Sequence, residues 1–267
     1  MKLVNNKFIL GMMTFVSILG YVASCTHKDV DIPSAASTAV VIARGNAIVK
    51  PGIVGNGDSS TYKLDKVHSN VMWSTNYMGA AGLLTGRFNQ FGMHTLTDAK
   101  MINYVTAAQP LADTSWYFDE ANPENTRFSG YVQMNQSNTG EPGRDAGCNI
   151  AALGTVAIVS GTQNLTNTNV ARIETTKIEK DPLSADYIVT LNLIWRGGPG
   201  NVAGTPITKS LTGKLRYIPK ALPTPTSTYS VCGLQLKFQF NCRDFGVTST
   251  SIADNVTIEC NMNFNNK

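Results

Sequence analysis

Charge is scarce in this chain of 267 residues: Asp, Glu, Lys and Arg together make up 15% of it. No block of like charge occurs, so the formal balance of +4 gives no reason to expect a nucleic-acid partner. Histidine is nearly absent, at three residues, and one of these, His27, precedes any folded domain. That leaves no His-rich metal cluster, and His68 with His94 and distant carboxylates makes a poor zinc site. No CxxC spacing occurs among the five cysteines, which excludes the usual metal and redox motifs. Runs of membrane-spanning length are missing, since the apolar stretch Phe8–Val22 falls short of the roughly 20 residues a span needs. Helical periodicity is poor almost everywhere. An apolar content of 42% is too high for a disordered chain. What is plentiful is Gly, Thr, Ser and Asn, a composition that favours strands and turns over long helices.

The N-terminal residues carry an address. Lys2 and Lys7 precede Phe8–Val22, a pattern right for a signal peptide. The stretch ends in Val22-Ala23-Ser24-Cys25, which resembles the bacterial lipobox: an aliphatic residue, two small ones and a cysteine. Small residues let a peptidase approach the backbone, and a thiol is needed to form a diacylglyceryl thioether. The expectation is therefore a signal peptide over 1–24, with Cys25 as the lipidated N-terminus of an exported lipoprotein. Buried acyl chains at about 0.8 kcal/mol per methylene hold such a protein on a membrane. Thr26, in place of Asp after the cysteine, points to the outer membrane. Lys28, Asp29 and Asp31 resemble a surface-export tag, so both periplasmic and surface-facing placements stay open. Removing Lys2 and Lys7 leaves 20 cations against 18 acids, a nearly neutral mature protein. Residues 25–60, rich in Pro, Gly, Ser and Ala, read as a flexible tether.

From residue 61 to residue 267 the pattern has period two, the signature of strands with one buried face. Asn70–Met78 sets Val71, Trp73, Thr75 and Tyr77 against Asn70, Ser74 and Asn76. Tyr187–Trp195 sets Tyr187, Val189, Leu191, Leu193 and Trp195 on one side. Ser210–Tyr217, Gly233–Cys242 and Asn255–Phe264 alternate in the same way. Asp145–Val159 is the one apolar stretch that reads as either a helix or a buried strand. The chain is all-β with one short helix, and long strands separated by turns point to a barrel or a sandwich.

Three segments add a family resemblance. Tyr62-Lys63-Leu64-Asp65-Lys66-Val67-His68-Ser69 resembles the Tyr/Trp-x-x-Asp-x-x-His-Ser opening of the YceI-like family. Gly86-Arg87-Phe88-Asn89-Gln90-Phe91 is similar to its Gly-x-Phe-x-x-Phe element, and Arg243-Asp244-Phe245-Gly246 to its Arg-Asp-Phe-Gly motif. The centre departs from the pattern: Gly143-Arg144-Asp145-Ala146 lacks the histidine that follows the family's Arg-Asp. The resemblance implies an extended, lipocalin-like antiparallel β-barrel of about eight strands. It also implies a long-chain isoprenoid, such as a polyprenyl quinone, or another amphiphilic lipid held along the barrel axis without catalysis. At about 0.8 kcal/mol per buried methylene, a forty-carbon tail reaches the practical ceiling of about 18–21 kcal/mol with no ionic help.

The candidate lining is Val71, Trp73, Leu191, Leu193, Trp195, Leu236, Phe238, Phe240 and Ile258, with Phe88 and Phe91 near a barrel mouth. The same residues read equally as a solid core, in which case the protein is a surface β-domain for adhesion or assembly. His68 and Ser69 invite a nucleophile–base reading, but neighbours on a strand point to opposite faces; a hydrogen bond from His68 to Asp65 is the plainer expectation. By the same parity Asp244 should point inward and Arg243 outward. Asp98, Asp113, Asp119 and Glu120 are available as carboxylates, with nothing to fix them as a pair. Of the four mature cysteines, Cys242 and Cys260 share inward parity, so they either bridge across a hairpin or remain buried thiols. No metal or cofactor is expected.

Overall fold

The computed structural model describes residues 62–77, 82–95, 118–119, 122–147, 149–161 and 163–267. The signal segment 1–24, Cys25 and the whole of the tether therefore lie outside the described residues, as do Cys148, Asp98, Asp113 and Glu120.

The alternating segments are strands. β8, Tyr187–Trp195, keeps its odd-numbered residues buried and its even-numbered ones half-exposed along its whole length, as its sequence requires. β2 (Asn70–Asn76), β9 (Ile207–Ala221), β10 (Val231–Asn241) and β11 (Asn255–Asn265) cover the other four alternating stretches. Short β1 (Lys63–Leu64), β3 (Leu83–Phe88), β4 (Phe91–Thr95), β5 (Phe128–Gln133), β6 (Ser137–Asn138) and β7 (Val170–Lys180) complete a single sheet in which every pairing is antiparallel.

The order along the sheet is β4-β5-β7-β8-β9-β10-β11-β2-β3-β6, with β1 paired to β11. The sheet has eleven strands, against an expectation of about eight, because two of its staves are broken. β3 and β4 are separated only by Asn89 and Gln90, and β5 and β6 by a 3-10 turn at Met134–Gln136. Across the break the ladder continues: Asn89 N donates to Gln136 O (2.9 Å) and Gln133 N to Gln90 O (2.9 Å). Phe88 faces Ser137 on one side of the bend and Phe91 faces Val132 on the other. The two ends of the path thus meet at one pair of bent segments, and the sheet curls round on itself.

Register stacks the inward side chains in layers. Val71, Cys260, Leu236, Leu215 and Tyr187 succeed one another across five strands. Trp73, Ile258, Phe238, Gly213 and Val189 form the next layer. Gly86 faces Trp73, and a Cβ there would lie 2.5 Å from the indole, so only glycine lets that ring lie against β3.

The stretch 145–159 is neither one helix nor one strand. A helix α1 spans Pro142–Gly147, with Glu141 accepting from Gly143 N (3.1 Å) and Arg144 N (2.6 Å) at its start. Asn149 (φ 52°) and Leu153 (φ 55°) then adopt left-handed backbone on either side of a 3-10 turn at Ile150–Ala152. These two reversals stop any helix. They fold Ile150, Ala151, Ala152 and Leu153 into the core.

Candidate functional site

The inward faces enclose a cavity whose wall is contributed by β2, β3, β4, β5, β7, β8, β10 and β11. Nine of the eleven residues expected from sequence line it: Val71, Trp73, Phe88, Leu193, Trp195, Leu236, Phe238, Phe240 and Ile258. Phe91 and Leu191 are buried, at 7% and 0% exposure, but pack in the core away from the cavity. Sequence reasoning missed Met93, Phe128, Met134, Leu153, Ile173, Leu234, Cys260 and Met262. Leu234, Cys260 and Met262 shared the parity of recognised strands and were legible; Phe128 and Ile173 lie on strands whose alternation is weak.

The void is narrow. Its volume is about 70 Å³. That is room for about five waters. A lipid tail enters such a space only if side chains swing aside. Met93, Met134 and Met262 suit that, being unbranched, with three rotatable bonds each.

Aromatic clusters flank the cavity. At one end Trp195 lies 5.5 Å from Phe245 and 6.2 Å from Phe240, ring centre to ring centre, and Phe240 and Phe245 meet edge-to-face at 5.6 Å. Behind Phe245 the loop following β8 closes tightly on the backbone. Gly198 N donates to Phe245 O (2.9 Å) and Gly200 N to Gly246 O (2.8 Å). A Cβ on Gly197, at φ 74°, would fall 1.8 Å from Phe245 O. At the other end Phe118 stacks on Tyr217 at 4.5 Å and meets Tyr187 edge-on at 4.9 Å. Tyr62 and Ser230 share a buried hydroxyl–hydroxyl hydrogen bond there.

The Arg-Asp-Phe-Gly motif corrects the parity argument. β10 ends at Asn241, and Cys242–Phe245 form a 3-10 turn, so alternation no longer applies. Asp244 points out, with its side chain 52% exposed and 3.9 Å from Lys209. Arg243 is the partly buried member. Its Nε donates to Asp254 Oδ1 (2.8 Å), Nη1 to Val247 O (2.9 Å) and Ser249 O (2.8 Å), and Nη2 to Ile252 O (2.7 Å). One guanidinium thus holds most of the connection from β10 to β11.

The described side chains weighed for bond chemistry are engaged in local turns. His68 sits in a 3-10 turn, Lys66–His68, and not on the strand; its Nδ1 lies 2.8 Å from Asp65 Oδ2 and its side chain is 72% exposed. Burial raises the Asp65 carboxyl, but hydrogen bonds to it from the His68 ring and the His68 backbone N–H prevail and hold it below its usual range. Ser69 Oγ donates to Asp65 O (2.6 Å) and accepts from Asn263 N (2.9 Å), which ties the hydroxyl to the backbone. Asp119 accepts from Asn122 N (3.0 Å) in a local turn. Among the described residues no three His, Cys, Asp or Glu side chains converge as metal ligands.

Cys232, Cys242 and Cys260 are free, and the Cys242–Cys260 bridge does not form. Cys260 faces Leu236, and the β10–β11 register centres on Thr248 with Asn241 opposite Asn255. Cys242 is six residues beyond Leu236, or about 20 Å along the strand, whereas a disulfide needs Cα atoms within about 7 Å. Burial pushes the Cys232 and Cys260 thiols up to about 12.

Comparison with solved structures finds distant likenesses. BcnA of Burkholderia cenocepacia is 13% identical with a TM-score of 0.44, over 75% of this chain and 98% of that one. A polyisoprenoid binding domain from Saccharophagus degradans is 13% identical with a TM-score of 0.38, over 77% and 98%. The Campylobacter jejuni YceI protein is 15% identical with a TM-score of 0.44, over 70% and 88%. No curated protein matches the chain in sequence. The YceI-like domain, however, matches residues 62–264, which takes in the opening Tyr62–Ser69 segment, every strand of the sheet and the Arg243–Gly246 turn. By that match the chain belongs to the YceI-like family.

Proposed function

We propose that this domain binds a long-chain isoprenoid or another amphiphilic lipid inside its barrel, for carriage or sequestration, without catalysis. The observation that carries the reading is the cavity: a continuous apolar lining, with methionines in its wall, inside a family-typical sheet. Each methylene that leaves water for this lining gains about 0.8 kcal/mol, so affinity needs no ionic group. A polyprenyl quinone is the representative ligand.

The second part of the proposal is an address. Cys25 carries the lipid, residues 25–60 form the tether, and the barrel is held at the outer membrane on its periplasmic or outer side. The lipobox-like Val22-Ala23-Ser24-Cys25 supports this.

Native mass spectrometry of the gently purified full chain, followed by loading with a polyprenyl quinone, tests the binding. The expected result is a stoichiometric adduct that is lost in Leu236→Trp, which fills the cavity from the middle of β10. Absence of any adduct in the parent protein favours a filled core used for adhesion or assembly, a reading the narrowness of the void supports. For the address, a palmitate analogue should label the parent protein and fail to label Cys25→Ala; persistent label refutes it.

A further inference from the structure

The cavity contains two tryptophans with opposite hydrogen-bonding fates. Trp73 donates its indole N–H to Ser137 Oγ at 3.0 Å. Trp195, at 2% exposure, has its Nε1 buried with no hydrogen-bond partner. An indole nitrogen can only donate, and a buried one normally finds an acceptor. Two other buried hydroxyls are satisfied: Thr75 Oγ1 donates to Asn255 O (2.8 Å), and Thr175 Oγ1 to Phe128 O (3.1 Å) while accepting from Phe128 N (2.9 Å). Asn135 Oδ1, in the Met134–Gln136 turn, is a buried acceptor with no partner. Arg172 Nε is also buried without a hydrogen bond. Its side chain leaves β7 on the face opposite Ala171 and Ile173, where it pairs with Glu174 at 3.5 Å. Although Arg172 borders the cavity, its charge is matched by Glu174, so Trp195 is the unpaired neutral N–H donor of the described lining.

Its position gives that donor a direction. Trp195 ends β8 and packs against Phe240 and Phe245, at the end of the cavity closed by the Gly197–Gly200 loop. No described side chain at this end supplies an acceptor to it, and the one cation of the described lining, Arg172, is paired with Glu174. An ionised head group placed here would be a buried, unpaired charge, which is strongly unfavourable. A neutral oxygen would instead complete the one open hydrogen bond.

We infer that Trp195 Nε1 is the recognition donor for a neutral carbonyl or hydroxyl oxygen on the ligand, with that oxygen lodged at the closed, Phe240–Phe245 end of the cavity. This rests on the reading of the cavity as a lipid site. It adds a selectivity: isoprenoid ketones, quinones and alcohols bind in preference to hydrocarbons of the same length.

The test uses the full chain, stripped of lipid, with geranylgeranylacetone and a hydrocarbon of matching chain length as probes. Affinities are compared in the parent protein, in Trp195→Phe and in Trp73→Phe. A buried neutral hydrogen bond should favour the ketone by about tenfold in the parent protein and in Trp73→Phe. In Trp195→Phe the two probes should bind equally. In a ¹⁵N–¹H spectrum of the parent protein the Trp195 indole resonance should shift with the ketone and much less with the hydrocarbon, a readout that survives even if the variant misfolds. Equal binding by the parent protein, or a ketone preference retained in Trp195→Phe, overturns the inference while leaving lipid binding intact. Failure of both probes to bind overturns lipid binding and this inference together.

Discussion

Replacing Arg243 with alanine should destabilise the barrel by about 2–3 kcal/mol, and the origin of that figure can be traced bond by bond. The guanidinium donates to three backbone carbonyls, Val247, Ser249 and Ile252, at 2.7–2.9 Å. Each hydrogen bond is worth about 1 kcal/mol net, more when the donor is charged. Water partly replaces it, because the Arg243 side chain is 31% exposed. The fourth bond goes to Asp254, whose side chain is 64% exposed, and an exposed ion pair contributes at most about 1 kcal/mol and often nothing measurable. Asp254→Asn should therefore cost less than about 0.5 kcal/mol, while Arg243→Lys, which has no planar fork to span three carbonyls, should recover less than half of the loss. With a urea slope of about 3 kcal/mol/M for a domain of this size, the midpoint should fall by about 0.7–1 M in Arg243→Ala. Urea unfolding followed by tryptophan fluorescence reads this directly, with Trp195 reporting from the adjoining aromatic cluster. A lysine variant as stable as the parent protein, or an Asp254→Asn variant as damaging as Arg243→Ala, would refute the carbonyl-fork account.

Three further outcomes are expected. Gly86→Ala places a Cβ 2.5 Å from the Trp73 indole, so thermal unfolding should show a loss of about 1–3 kcal/mol from overpacking. Cys232 and Cys260, with thiols pushed up to about 12 by burial, should resist iodoacetamide at pH 8 in native protein and react once it is unfolded, as peptide mapping would show. Asp181 accepts from Leu183 N, Ser184 Oγ and Lys214 Nζ, which bring its carboxyl down to about 2. A carboxyl whose folded value lies below its unfolded value of 3.8 stabilises the fold above that value, and the contribution disappears as pH falls towards 2. Acid titration of Asp181→Asn should thus show lower stability at neutral pH and a shallower decline between pH 4 and 2; an unchanged acid limb would count against the assignment.

Residue-by-residue alternation made five strands legible, and β8 falls on Tyr187–Trp195 as its pattern demands. β7 was not legible because its periodicity is broken. A bulge between Thr175 and Lys177 shifts the register by one residue, and Glu174 on the outer face is itself buried. Burial of that carboxylate raises its pKa, with the nearby Arg172 acting against the rise. β5, with Gly130 at its centre, is too short to show a period. The Cys242–Cys260 pairing failed for a related reason: parity tells which face a residue takes, but not how far along the partner strand it sits. Asp244 and Arg243 exchanged roles because a 3-10 turn begins one residue after β10, and period two ends with the strand.

Sequence alone determined the class of fold, the apolar identity of the lining and the family, because strand alternation and short motifs are local properties of neighbouring residues. Only tertiary structure decided the register that sets Leu236 against Cys260, the narrowness of the void and the fork of Arg243 across the β10–β11 connection. It also decided which of two tryptophans keeps a free donor. Those features depend on which distant segments meet and at what offset, and packing geometry settles that, whereas the order of residue types does not.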